Sequence, residues 1–109
     1  MSGYKALVKA FWETYRPEAL ATLAETTPPE RFFAQESAEI EELIAEYRDD
    51  FREEPEPGAD FRDAMGLIHM ATLRAREKAL DEKLYSLEKE PGTEEKEMPK
   101  VSLPKIAAG

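Results

Sequence analysis

Apolar residues recur along this chain with a helical period. Tyr4, Leu7, Val8, Phe11, Trp12 and Tyr15 fall at i, i+3, i+4, i+7, i+8 and i+11, an unbroken stripe that predicts a helix over 4–15 with Ser2 as a cap. Arg16-Pro17 interrupts it, because the residue before a proline avoids helical geometry. Pro17 suits the first position of a new helix carrying Leu20 and Leu23, so a bent helix and a tight corner fit equally. After the break at Thr26–Pro29, Thr27 and Glu30 have the spacing of a capping box. Phe32 and Phe33 follow and are expected to close the open end of a bundle. Ile40, Ile44, Tyr47 and Phe51 keep a 4-3-4 spacing, and the helix that carries them is expected to run to about Glu54.

Glu53 to Gly58 holds two prolines and a glycine and no apolar residue, which marks a loop. Asp60 is placed to cap a last helix from about Phe61 to Lys89. Its stripe comprises Phe61, Met65, Ile68, Ala75, Ala79, Leu80, Leu84 and Leu87, and Ala71, Ala75 and Ala79 permit close approach of another helix. Pro91-Gly92 ends it. The pattern predicts an all-α fold, a small three- to four-helix bundle with a long helical hairpin and an extended C-terminal tail. Residues 1–90 form the bundle domain and 91–109 a flexible or partner-bound tail. That tail has no helical period and is expected to be disordered alone. Met98, Val101, Leu103 and Ile106 nevertheless form a proline-spaced apolar frame suited to lying along a partner.

Charge sharpens the picture. The chain has 24 acidic and 15 basic residues among 109, a net charge of −9. The stretch 35–63 alone holds twelve acids against three bases, so the rest of the chain is neutral overall. Acids four apart (Glu42 with Glu46, Glu46 with Asp50, Asp49 with Glu53) repel one another on a helix. This balance argues against direct nucleic-acid binding, which needs clustered Lys and Arg. It favours a larger protein with a basic surface as partner. Glu39, Glu42, Glu46, Asp49, Asp50, Glu53 and Glu54 are the residues expected to bind it. Arg74, Arg76, Lys78 and Lys83, the basic cluster of the last helix, are expected to pair across the hairpin with the acidic helix.

The chemistry of catalysis is not signalled. With no cysteine, thiolate nucleophiles, disulfides and Cys-based metal sites are excluded. One histidine, His69, cannot supply the paired Glu-x-x-His pattern of a dimetal bundle. No glycine-rich phosphate loop or nucleophile elbow is present. The expectation is a non-enzyme with no metal and no cofactor. The N-terminal residues lack a charged leader followed by an apolar run, and no apolar run reaches membrane-spanning length, which predicts a cytoplasmic protein with no membrane partner.

The aromatic-led first helix, E-I-E-E-L-I from Glu39 to Ile44, the acidic loop and M-A-T-L-R-A-R from Met70 to Arg76 resemble the TnpV-like proteins, small transposon-encoded proteins of undefined activity. The resemblance covers about residues 4 to 85. The strongly basic segments of that group are missing, and the tail after Pro91 is extra. It implies an origin in a mobile element and supplies no catalytic residues.

The function expected from these features is that of a small acidic protein-binding module of a phage or mobile element. It would act as an inhibitor or adaptor by docking its acidic helix on a nucleic-acid-binding surface, as a nucleic-acid mimic. Two alternatives remain open: an assembly subunit that uses the aromatic helix and the tail, and a DNA-transaction accessory factor that uses the basic cluster. Self-association is also left open.

Overall fold

The structure, a computed structural model, describes residues 3–106. Its helices are α1 (Lys5–Tyr15), α2 (Pro17–Ala24), α3 (Pro29–Phe51) and α4 (Phe61–Leu80), and α4 continues into a π-helical turn at Asp81–Tyr85. No strand occurs among the described residues, so the chain is a small all-α bundle. The molecule is elongated, 57 × 28 × 21 Å. Its long direction follows the antiparallel hairpin of α3 and α4, while α1, α2 and the tail cover only one end of that hairpin.

The apolar stripe of α1 forms the centre of the core. Tyr4, Leu7, Val8, Phe11 and Tyr15 are buried together with Phe33, Ile40, Ala79, Leu80 and Leu84. Trp12 is half-buried and meets the edge of Phe32, with ring centroids 5.0 Å apart. The start of α1 is tied to α3 by the Tyr4 N–H, which donates to Oγ of the fully buried Ser37 at 2.9 Å. Ser2, expected as the cap of α1, lies outside the described residues. The chain leaves helical geometry at Arg16 alone (φ −136°, ψ 47°), so the proline produces a corner between two helices rather than a bend in one.

Three boundaries differ from the sequence expectation. The Thr27–Glu30 capping box does not form. Pro28 precedes Pro29 and is therefore held extended (φ −58°, ψ 128°), which moves the N-cap from Thr27 to Pro28 and the start of α3 to Pro29. Glu30 instead forms an ion pair with Lys5 of α1. At its other end α3 stops at Phe51 rather than Glu54, with Arg52 already extended. Asp49 and Asp50 in its last turn oppose the helix dipole, and Pro55 lies just beyond. α4 begins as expected, with the Asp60 carboxylate accepting from the Asp63 N–H at 2.9 Å. It does not run as an α-helix to Lys89, because the π-turn admits an extra residue and the Ser86 N–H reaches back to the Asp81 carbonyl at 2.9 Å.

The tail returns along the bundle. The Glu90 N–H donates to the Tyr15 carbonyl at 2.9 Å, and the Glu90 carboxylate accepts from the Glu18 and Ala19 N–H groups at 2.9 and 2.8 Å. It thereby caps α2 from a distant part of the sequence, where Arg16 at the N-cap position offers no side-chain oxygen. The buried Thr93 hydroxyl lies 2.6 Å from the Glu90 carbonyl and 3.2 Å from that of Tyr15, and its single proton serves one of them at a time. Tyr15 Oη donates to the Lys96 carbonyl at 2.8 Å, and Arg76 donates to the Pro104 carbonyl at 2.8 Å. Pro104 sits so close to Gly3 that a Cβ there would come within 2.5 Å of its ring. The tail thus runs from the C-terminal end of α1 back to its N-terminal end.

Candidate partner-binding face

The acidic face of α3 follows from helical geometry. At about 100° per residue, Glu39, Glu42, Glu46, Asp49 and Asp50 fall within an arc of about 100°. Ile40, Ile44, Tyr47 and Phe51 lie on the opposite side. Along that apolar side Ile40 is fully buried, whereas Ile44, Tyr47 and Phe51, nearer the hairpin tip, are half-buried. Ile44 and Tyr47 still pack against the core, and beyond them the hairpin continues as two helices held together where Ala71 and Ala75 let α4 approach α3.

The seven acids expected to bind a partner divide into two groups. Glu39 is half-buried at the covered end, where Lys83 of the π-turn lies 2.8 Å from its carboxylate and 2.8 Å from that of Glu36. Burial and the hydrogen bond with Glu39 push the Glu36 carboxyl up, and the same hydrogen bond followed by Lys83 holds Glu39 below the usual carboxylate range. Burial alone would lower Lys83, but its hydrogen bonds and charge contacts with the two carboxylates together raise it. Glu39 therefore has a partner within its own chain. Glu42, Glu46, Asp49, Asp50, Glu53 and Glu54 are all exposed, and none forms an ion pair within 4 Å with a described residue. Because α3 ends at Phe51, Glu53 and Glu54 belong to the loop rather than to the helical stripe.

Within residues 46–63, the end of α3, the loop and the first residues of α4, eight acids stand against three arginines, and all eight are exposed. The basic cluster of α4 only partly does what was expected of it. Lys83 pairs with the acidic helix, but Lys78 lies over the Tyr47 ring, 4.3 Å from its centroid, and Arg76 reaches the tail. Tyr47 donates to the Glu82 carboxylate, and this hydrogen bond, with burial and nearby acids, pushes its phenol up to about 12.

The tail residues expected to contact a partner meet the chain's own bundle. Met98, Val101 and Leu103 pack against the core, and Ile106 is half-buried. Sequence reasoning missed the apolar tip. Phe61, assigned to the core stripe, is 75% exposed because α4 starts beyond the end of α3, and Met70 is 51% exposed. The signal that could have found it was Leu67 and Met70, which lie on the helix side opposite Met65 and Ile68, too wide a spread for contact with one partner helix.

Among the described residues no three His, Asp or Glu side chains are grouped so as to hold a metal ion, and no helix is long and apolar enough to cross a membrane. Comparison with protein-family models, with curated proteins and with solved structures finds no match.

Proposed function

We propose that this protein is a non-enzymatic binding module that docks the acidic arm of its α3–α4 hairpin on a basic surface of a larger protein. In its sharpest form the surface is one that otherwise holds nucleic acid, and the arm acts as an inhibitor by occupying it. The observation that carries the reading is a contrast within the chain. At the covered end, Glu30 pairs with Lys5, and Glu36 and Glu39 share Lys83. Along the arm, Glu42, Glu46, Asp49, Asp50, Glu53 and Glu54 are exposed and form no ion pair with a described residue. Carboxylates without counter-charges create a field that attracts a cationic surface and speeds encounter with it. Glu42, Glu46, Asp49 and Asp50 lie on the side of α3 away from Ile44 and Tyr47, which pack against the core, so a partner can engage them without disturbing it.

The assembly reading has less surface to draw on. The aromatic stripe of α1 is in the core, and Met98, Val101 and Leu103 of the tail are engaged by the same core.

The test is affinity purification of the tagged protein from bacterial cells with stepwise elution by salt and identification of what elutes. A Lys- and Arg-rich, nucleic-acid-handling protein released as salt rises is the expected result, because exposed charge pairs are screened. A complex that resists salt and consists of structural proteins would refute the proposal.

A further inference from the structure

The tip of the arm combines charge with an apolar recess. The loop after α3 folds back over the start of α4 and leaves an open cleft of about 680 Å³, lined by Pro55, Pro57, Gly58, Leu67 and Met70 and edged by Glu56, Arg62 and Asp63. Gly58 turns the loop through positive φ (88°), a conformation that other residues adopt only with strain. The cleft volume falls within the range of about 300–1,000 Å³ typical of ligand-binding clefts. Met70, which lines the cleft, is 51% exposed, a large apolar group left in water among acidic residues.

The charge around the cleft decides what can cover it. Residues 53–63 carry five acids and one base. A second copy of this chain laid tip to tip would bring ten acids together against two arginines, and like-charge juxtaposition of this kind opposes association. An acidic or neutral partner would leave the surrounding carboxylates without compensation. A segment with apolar side chains on one side and Lys or Arg around them satisfies both features. Its apolar side enters the cleft, its cations face Glu53, Glu54, Glu56, Asp60 and Asp63, and the flexible thioether of Met70 adapts to what enters.

We propose that the tip cleft is a socket for the apolar face of a basic amphipathic helix. This deepens the docking reading above and rests on it. The acidic arm supplies attraction and orientation, and the cleft supplies the contact that distinguishes one basic surface from another.

The experiment uses the full chain and three labelled peptides, with binding read by fluorescence anisotropy. One peptide consists of lysines and leucines with leucine at i, i+3, i+4 and i+7. The second has the same residues scrambled so that no helical face forms, and the third has serine in place of leucine. The patterned peptide is expected to bind at least about tenfold more tightly than the other two. Met70→Ser should erase that advantage while leaving the weaker, salt-sensitive binding of the serine peptide unchanged. The Met70 side chain is 51% exposed, so the fold is retained, as circular dichroism would verify. Equal affinity for all three peptides, or a patterned-peptide advantage that survives Met70→Ser, overturns the socket and leaves the docking of basic partners standing. Failure of every peptide to bind overturns both. A concentration-dependent doubling of mass in sedimentation that Met70→Ser abolishes would assign the cleft to a second copy and overturn the proposal.

Discussion

Glu46→Lys is expected to make the protein more stable. Glu46 is exposed in the middle of the acidic stripe, with Glu42 one turn before it and Asp50 one turn after it, both within α3. Two like-charge pairs at i, i+4 are removed, each worth about 0.2–0.5 kcal/mol of repulsion. Two opposite-charge pairs replace them: the introduced lysine meets Glu42 in the favourable order, acid before base, and Asp50 in the weaker one. The gains together come to about 1 kcal/mol at low ionic strength. Nothing is lost from the core, because Glu46 has no ion pair among the described residues. Urea unfolding followed by circular dichroism should show a higher midpoint with an unchanged slope, and the gain should shrink as salt is added. A lower midpoint, or a gain independent of salt, would refute the reasoning, because it would mean that Glu46 is held by contacts the acidic stripe does not explain. On this reasoning the acidic face costs the fold stability, a cost that the docking proposal accounts for.

Two further predictions concern the covered end. Glu90→Ala removes a carboxylate that accepts two N–H groups at the start of α2, and the loss of a cap and its charge–dipole interaction is worth about 1–2 kcal/mol; Glu90→Gln should retain part of it, and equal urea midpoints for wild type and Glu90→Ala would contradict the assignment. Lys83→Met should destabilise the protein by about 1–3 kcal/mol at neutral pH by leaving Glu36 and Glu39 side by side without their shared cation. Since the folded chain raises Lys83, its contribution is complete below the ordinary lysine value and is lost as pH rises through the folded one. The stability gap between wild type and Lys83→Met should therefore close in alkaline solution, and a gap that persists there would show that packing rather than charge is responsible. On the acid side the two carboxylates oppose each other: lowered Glu39 loses its contribution as pH falls, while raised Glu36 favours the fold when protonated.

The parts of this fold that were legible in the sequence are those governed by local rules. The stripe from Tyr4 to Tyr15 is in the core because its period matches one helix face, and Asp60 caps α4 because its carboxylate reaches the N–H three residues on. Pro28 defeats the Thr27 cap through a local rule as well, since it stands before a second proline. What the sequence did not reveal depends on tertiary meetings. The π-turn at Asp81–Tyr85 places Leu84 in the core and Lys83 between two carboxylates of α3, and no residue in that segment announces an extra residue per turn. The order of the tail depends on Tyr15, Arg76 and Gly3, which are remote in sequence from the residues they meet. For the candidate face, composition alone located the acids. Whether each was paired required the fold: it assigns Glu39 to Lys83 and leaves its neighbours toward the tip exposed.

The most direct test of the docking proposal reverses the arm without touching the bundle. A variant carrying Glu46→Lys, Asp50→Lys, Glu53→Lys and Glu54→Lys changes only exposed residues that lack ion pairs among the described residues, so it should fold with an unchanged circular dichroism spectrum. Its affinity for the protein that co-purifies with the wild type, measured by titration calorimetry at low and moderate salt, decides the matter. The proposal predicts that binding is lost at both salt concentrations while wild-type binding weakens as salt rises. A folded variant that binds the same protein with wild-type affinity would contradict it.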